Sequence, residues 1–214
     1  VRRILLLLAS LFLILLFYQK EISTVLPTFN ATNEPAIISK GHYGQTLMLE
    51  VTFSHEGFET WLKNLKAPYP ILLLDKAWIE RSSSMIEIIK DKRIPTALLG
   101  HNSTDYTNSK VLEEEITIYK KYFDKEPLWF MTRDYIFPDD LQQMIFNQRI
   151  NMLIPTALWH QELPLEEGMI ISVPLHAHST IDFEQLTLFM QQNPIVSIEE
   201  NLFGYQIKTK KFPQ

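Results

Sequence analysis

The stretch Pro95-Thr-Ala-Leu-Leu-Gly-His101-Asn-Ser-Thr-Asp105 decides the reading of this chain. Pro95 to Leu99 is a short uncharged run, the pattern of a buried strand. Ser109 follows and can cap a helix. That helix carries Glu113, Glu114 and Glu115 in its first turns, where the positive end of the helix favours acid. Its apolar face is Leu112, Ile116, Tyr119, Tyr122 and Phe123. Strand, polar turn and amphipathic helix make one βα unit.

The same unit recurs in both directions. Upstream, Leu47, Leu49, Val51 and Phe53 are apolar at period two, which predicts a strand with one buried face. Residues 59–65 fit a short helix and Pro70 to Leu74 a buried strand. One of Ser82, Ser83 and Ser84 caps a helix carrying Met85, Ile86, Ile88 and Ile89. Downstream, strands are expected at residues 128–131, 151–154, 169–175 and 195–198, with helices at 139–147 and 183–190. Strands alternating with helices imply an α/β fold with a mainly parallel sheet. In such folds chemistry gathers at the C-terminal strand ends. The candidates there are Ser54, His55 and Glu56; Asp75; His101 and Asp105; Thr132, Arg133 and Asp134; Trp159 and His160; His176 and His178. Most of the histidines fall in this set.

Outside this body the N-terminus stands apart. Arg2 and Arg3 precede an unbroken apolar run, Ile4 to Tyr18. Positive charge ahead of an apolar stretch keeps the N-terminus inside and sends the rest across. Residues 1–20 therefore read as a transmembrane helix acting as a signal anchor, with the body outside a cell membrane. The alternative is a cleaved signal peptide and a secreted body. Residues 21–43, with Pro27 and Pro35, read as a linker, and 44–214 as one domain. The 214 residues carry a net charge of −5 and no cysteine. Disulfides, thiolate metal sites and a cysteine nucleophile are excluded, and nothing in the charge pattern offers a basic face to nucleic acid.

Within the opening stretch, His101 and Asp105 reach one ligand if the segment makes a helical turn. Such a nitrogen–oxygen pair suits Zn²⁺ or another divalent metal. The alternative is a turn in which Asp105 or Asn102 bonds local backbone. Trp78, Trp129, Trp159, Tyr135 and Phe137 add aromatic area near the strand ends, where sugar rings can stack, or else they belong to the core.

The order of these segments resembles the polysaccharide deacetylases, the NodB-homology group of carbohydrate esterase family 4. Thr52-Phe-Ser-His-Glu-Gly57 stands in place of that family's Thr-Phe-Asp-Asp-Gly motif. Leu99-Gly-His-Asn-Ser-Thr-Asp105 stands in place of its His-x-x-x-His motif. Trp129-Phe-Met-Thr-Arg-Asp-Tyr135 replaces the Arg-Pro-Pro-Tyr-Gly motif, and Val173-Pro-Leu-His176 matches the Leu-x-His motif. The resemblance implies a deacetylase-like (β/α) barrel, distorted or incomplete, and metal-dependent removal of acetyl groups from a glycan. It implies His55, His101 and Asp105 as a metal set, His176 as the general acid, and Arg133 as a displaced form of the motif arginine. Ser54 occupies the position of the family's base and cannot accept a proton near neutral pH. Glu56, adjacent, is the candidate substitute. The expectation is a weakly active or degenerate N-deacetylase whose partner is a cell-envelope polysaccharide or peptidoglycan, with no metal if the site is degenerate. The alternative is a non-catalytic interaction module on the same fold.

Overall fold

The computed structural model describes residues 31–159 and 165–204. The apolar run Ile4–Tyr18 and His160 lie outside the described residues. Among the described residues no helix is long and apolar enough to cross a membrane.

Among the described residues eight strands pair side by side in one sheet, every pair parallel. In chain order they are β1 (Ile37–Ile38), β2 (Thr46–Val51), β3 (Ile71–Asp75), β4 (Thr96–Leu99), β5 (Trp129–Met131), β6 (Asn151–Leu153), β7 (Ala157–Leu158) and β8 (Ile170–Pro174). Across the sheet the order is β1-β6-β5-β4-β3-β2-β8-β7. The segment from β6 to β7 joins the two edges. Ile154 N–H donates to the Ile38 carbonyl on β1, and Thr156 N–H donates to the Ile170 carbonyl on β8, next to the β7 edge. The Thr156 hydroxyl adds a 2.5 Å bond to the Ser39 carbonyl. The sheet therefore curls into an incomplete barrel, as the resemblance implies.

Parallel strands need covered crossovers, and helices supply them. They are α1 (Phe58–Asn64), α2 (Lys76–Arg81), α3 (Ser83–Lys92), α4 (Ser109–Phe123), α5 (Asp139–Asn147), α6 (Phe183–Gln192) and α7 (Ile198–Phe203). Two apolar cores result. The outer one lies between sheet and helices and holds Leu47, Leu49, Val51, Leu72, Leu74, Leu98, Phe130, Ile171 and Val173. The inner one fills the barrel with Met48, Ile71, Leu73, Ala97, Leu99, Trp129, Met131, Leu153, Ile170 and Ile198. Alternate residues of each strand go to opposite cores, as the pleat requires.

Several sequence expectations are corrected. β2 is buried on both faces along its whole length, not on one. Residues 31–43 are not all linker, because Ile37 and Ile38 add a strand beside β6. Residues 195–198 hold only a single bridge, Ile195 to Gln45, before α7 begins. The cap of α4 is Asn108, whose side chain accepts from Lys110 N–H, rather than Ser109.

A polar cluster at the strand ends: the candidate functional site

Following the inner face of each strand toward its C-terminal end, apolar side chains give way to polar ones. On β2 Met48 is followed by Glu50, and on β3 Leu73 by Asp75. On β8 Ile170 is followed by Ser172. Past the strand ends His101 and Arg133 continue the same alternation from Leu99 and Met131, and His176 follows β8 in the helical turn Leu175–Ala177. Strand parity, with the helical turn after β8, carries this set toward the mouth of the barrel.

The first element is a carboxyl at the heart of the barrel. Glu50 is fully buried. Its Oε1 accepts from the Tyr135 and Ser172 hydroxyls, each at 2.6 Å. Its Oε2 has no hydrogen-bond partner and lies 3.8 Å from His176 Nδ1. Burial pushes the Glu50 pKa up, against the pull of the two hydroxyls. Tyr135 reaches inward because its backbone adopts the left-handed region, φ 59°, uncommon for a side-chain-bearing residue. Its phenol is also pushed up, by burial first and then by Glu50. His176 is pushed down, by burial first and then by the charges of Arg133 and His178.

The second element is an ion pair. Arg133 donates a short bond to the Asp75 carboxylate, and Asp75 also accepts from Trp78 N–H at 3.0 Å to cap α2. Asp75 is nearly inaccessible and the Arg133 side chain is about one-third exposed. The guanidinium Nε is buried without a partner.

The third element is a closed hydrogen-bond ring. His101 Nδ1 lies 2.5 Å from Glu115 Oε1. The Tyr106 hydroxyl donates to Glu115 Oε2 at 2.8 Å and accepts from His101 N–H at 2.7 Å. Glu115 lies on α4 and is fully buried. The ring needs Gly100, since a Cβ there would stand 2.1 Å from the Tyr106 oxygen and 2.3 Å from Phe130. His101 is raised above its ordinary pKa by the Glu115 bond, against partial burial.

No protein-family model and no curated protein matches the sequence. Solved structures match it well. A family 4 carbohydrate esterase from Bacillus anthracis superposes with a TM-score of 0.62 at 15% identity, over 80% of this chain and 84% of its own. A chitin deacetylase from the fungal pathogen Colletotrichum lindemuthianum gives 0.62 at 11% identity, over 80% and 93%. A family 4 pseudoenzyme from Bacillus anthracis gives 0.60 at 16% identity, over 74% and 64%.

The chain has the fold of the family 4 carbohydrate esterases.

On this esterase fold the implied metal set does not assemble. Among the described residues no three His, Asp or Glu side chains are arranged to hold a metal ion. The reasons are local. His55 Nε2 lies 2.8 Å from the Leu175 carbonyl, and Asp105 is exposed in the helical turn Ser103–Asp105; the Glu115 bond engages only Nδ1 of His101. That turn is held from the other side, where Ser103 N–H and hydroxyl both donate to Asp134. Of the remaining predicted residues, His176 and Arg133 join the cluster, while Glu56 is exposed ahead of α1. Ser54 accepts from Trp78 Nε1 at 2.9 Å. Trp78, Trp129, Trp159 and Phe137 are core residues, not a sugar platform. Phe53 and Ile136 are the exposed apolar side chains flanking the strand ends. A groove of about 680 Å³ exists elsewhere, outside the barrel between α1 and α6, lined by Trp61, Phe183 and Leu188 among others. It shares none of the polar cluster.

Sequence reading missed Glu50, Glu115, Tyr106 and Ser172. Two of these left a signal. Glu50 is the one charge inside an otherwise buried strand. Glu115 stands three residues after Leu112 and four before Tyr119, on the buried face of its helix.

Proposed function

We propose that this chain is an extracytoplasmic polysaccharide-deacetylase-like protein that holds an N-acetylated cell-envelope glycan at its strand ends and hydrolyses it weakly or not at all. The observation that carries the reading is a polar strand-end cluster, on the esterase fold, in which no carboxylate is free to act as base. Ser54 replaces the base and is occupied by Trp78. Asp75 is held by Arg133 and by the α2 cap. Glu50 is inaccessible to a substrate. Loss of a general base costs about 10²–10⁴-fold in rate. The groups that remain suit binding. Arg133 can donate to an acetamido carbonyl, and His176 can give a proton to a leaving nitrogen. Arg2, Arg3 and the run Ile4–Tyr18 would hold the body outside a membrane.

Calorimetry with chitin oligomers and peptidoglycan fragments, run beside an acetate-release assay with and without added zinc or cobalt, tests this. Expected are measurable binding and little or no acetate. Robust turnover of the unmodified chain overturns the missing-base reading. Absence of binding to either glycan overturns the glycan reading and leaves the interaction module. Ser54→Asp raises acetate release if the base is the sole defect. Fractionation of the intact protein, followed by protease accessibility, tests the membrane assignment.

A further inference from the structure

We propose that Glu50 is the positioning residue for His176: its carboxyl engages Nδ1 from inside the barrel and leaves Nε2 as the atom presented to a ligand. The two Oε1 bonds settle which oxygen is available. Tyr135 and Ser172 both donate to Oε1, so a proton on this carboxyl sits on Oε2. Oε2 is the atom without a hydrogen-bond partner, and His176 Nδ1 is 3.8 Å away. That separation exceeds a hydrogen bond; His176 is exposed, so its ring has room to turn toward Oε2. An unpaired buried polar atom is costly, which favours the closed arrangement. Burial pushes the Glu50 pKa up, which favours a proton on Oε2; Arg133 and His178 are the charges that bear on the His176 ring.

The consequence is a defined tautomer. Oε2–H donates to Nδ1, so the neutral ring carries its own proton on Nε2. If His176 gives the Nε2 proton to a leaving nitrogen, Nδ1 receives the Oε2 proton in exchange. The ring stays neutral, and the negative charge comes to rest on a carboxylate already held by two hydroxyls. This use of the pair rests on the deacetylase reading, but the tautomer itself does not.

Nitrogen-15 NMR of the histidine side chains in the full chain, with His176 assigned by the loss of its signals in His176→Gln, reads the tautomer directly and needs no substrate. In the wild type above the His176 midpoint, Nε2 is expected in the protonated range and Nδ1 in the unprotonated range. Glu50→Gln, whose amide can donate in the same direction while its oxygen keeps both hydroxyls, retains that signature. Glu50→Leu, checked for folding by circular dichroism, collapses it to the averaged shifts of free imidazole. Averaged shifts or an Nδ1–H tautomer in the wild type overturn the proposal, and so does an unchanged signature in folded Glu50→Leu. If Glu50→Leu does not fold, the wild-type spectrum decides alone. A correct tautomer without glycan binding would sink the proposed function and leave this inference standing.

Discussion

The two ends of the barrel are built on opposite terms. At the N-terminal end of the strands, α7 lies across the opening and Asn201 acts as its plug. Asn201 is fully buried. Its amide donates to the Thr46 hydroxyl at 3.0 Å and to the Gly168 and Met169 carbonyls at 3.3 and 3.2 Å. Its own carbonyl accepts from His42 and Tyr43 N–H. A Cβ on Gly41 would stand 2.1 Å from its side-chain oxygen. The C-terminal end keeps open polar atoms instead. Among the described residues, two of the three buried side-chain atoms without a hydrogen-bond partner, Glu50 Oε2 and Arg133 Nε, belong to that end; the third is Gln45 Oε1. Buried polar groups are normally paired, and groups left open gather where a ligand or a proton is handled. One end is thus committed to stability and the other keeps bonding capacity in reserve.

The contrast breaks if the plug proves dispensable. Asn201→Leu leaves a hydroxyl and two carbonyls without their donor, and should cost about 3–5 kcal/mol in a urea unfolding titration. A loss below about 1 kcal/mol would mean that the apolar contacts of α7 close this end unaided.

At the open end, Arg133→Met strips the counter-charge from buried Asp75. The expected cost is about 2–4 kcal/mol, reduced from that of a fully buried pair because the arginine is partly exposed. A neutral outcome would show that Asp75 is sustained by the α2 cap alone.

Glu50→Gln sharpens the comparison through pH. A carboxyl whose folded pKa is raised supports folding fully below its unfolded value, and loses that support as pH rises toward the folded value. The variant does not titrate, so its stability relative to the wild type should improve steadily as pH rises above the ordinary value of 4.5. A gap that stays constant with pH would show that Glu50 is not perturbed.

The smallest effect belongs to neither end. Lys63 and Glu59 form an exposed i,i+4 pair on α1 at 2.7 Å, and Glu59→Gln should change stability by less than about 0.5 kcal/mol. It serves as the baseline for the other variants.

Local sequence carried the βα alternation, because period and punctuation are written in neighbouring residues. Short apolar runs such as Pro95 to Leu99 could only be buried strands between helices, and their order resembled the esterase family closely enough to imply a curled barrel. Parity along the strands also carries His101 and Arg133 toward one mouth, and a helical turn after β8 adds His176. What neighbouring residues could not determine was where each polar atom finds its partner. His101 finds Glu115 because α4 crosses behind β4 and Gly100 lets Tyr106 pack beneath. Glu50 meets Tyr135, Ser172 and His176 only when β2 and β8 pair and the chain after β5 folds back over them. Sequence determined which residues stand at the strand ends. Tertiary structure decided their chemistry, because hydrogen bonds and burial depend on contacts between segments more than 100 residues apart, such as His55 with Leu175, 120 apart, and Ser172 with Glu50, 122 apart.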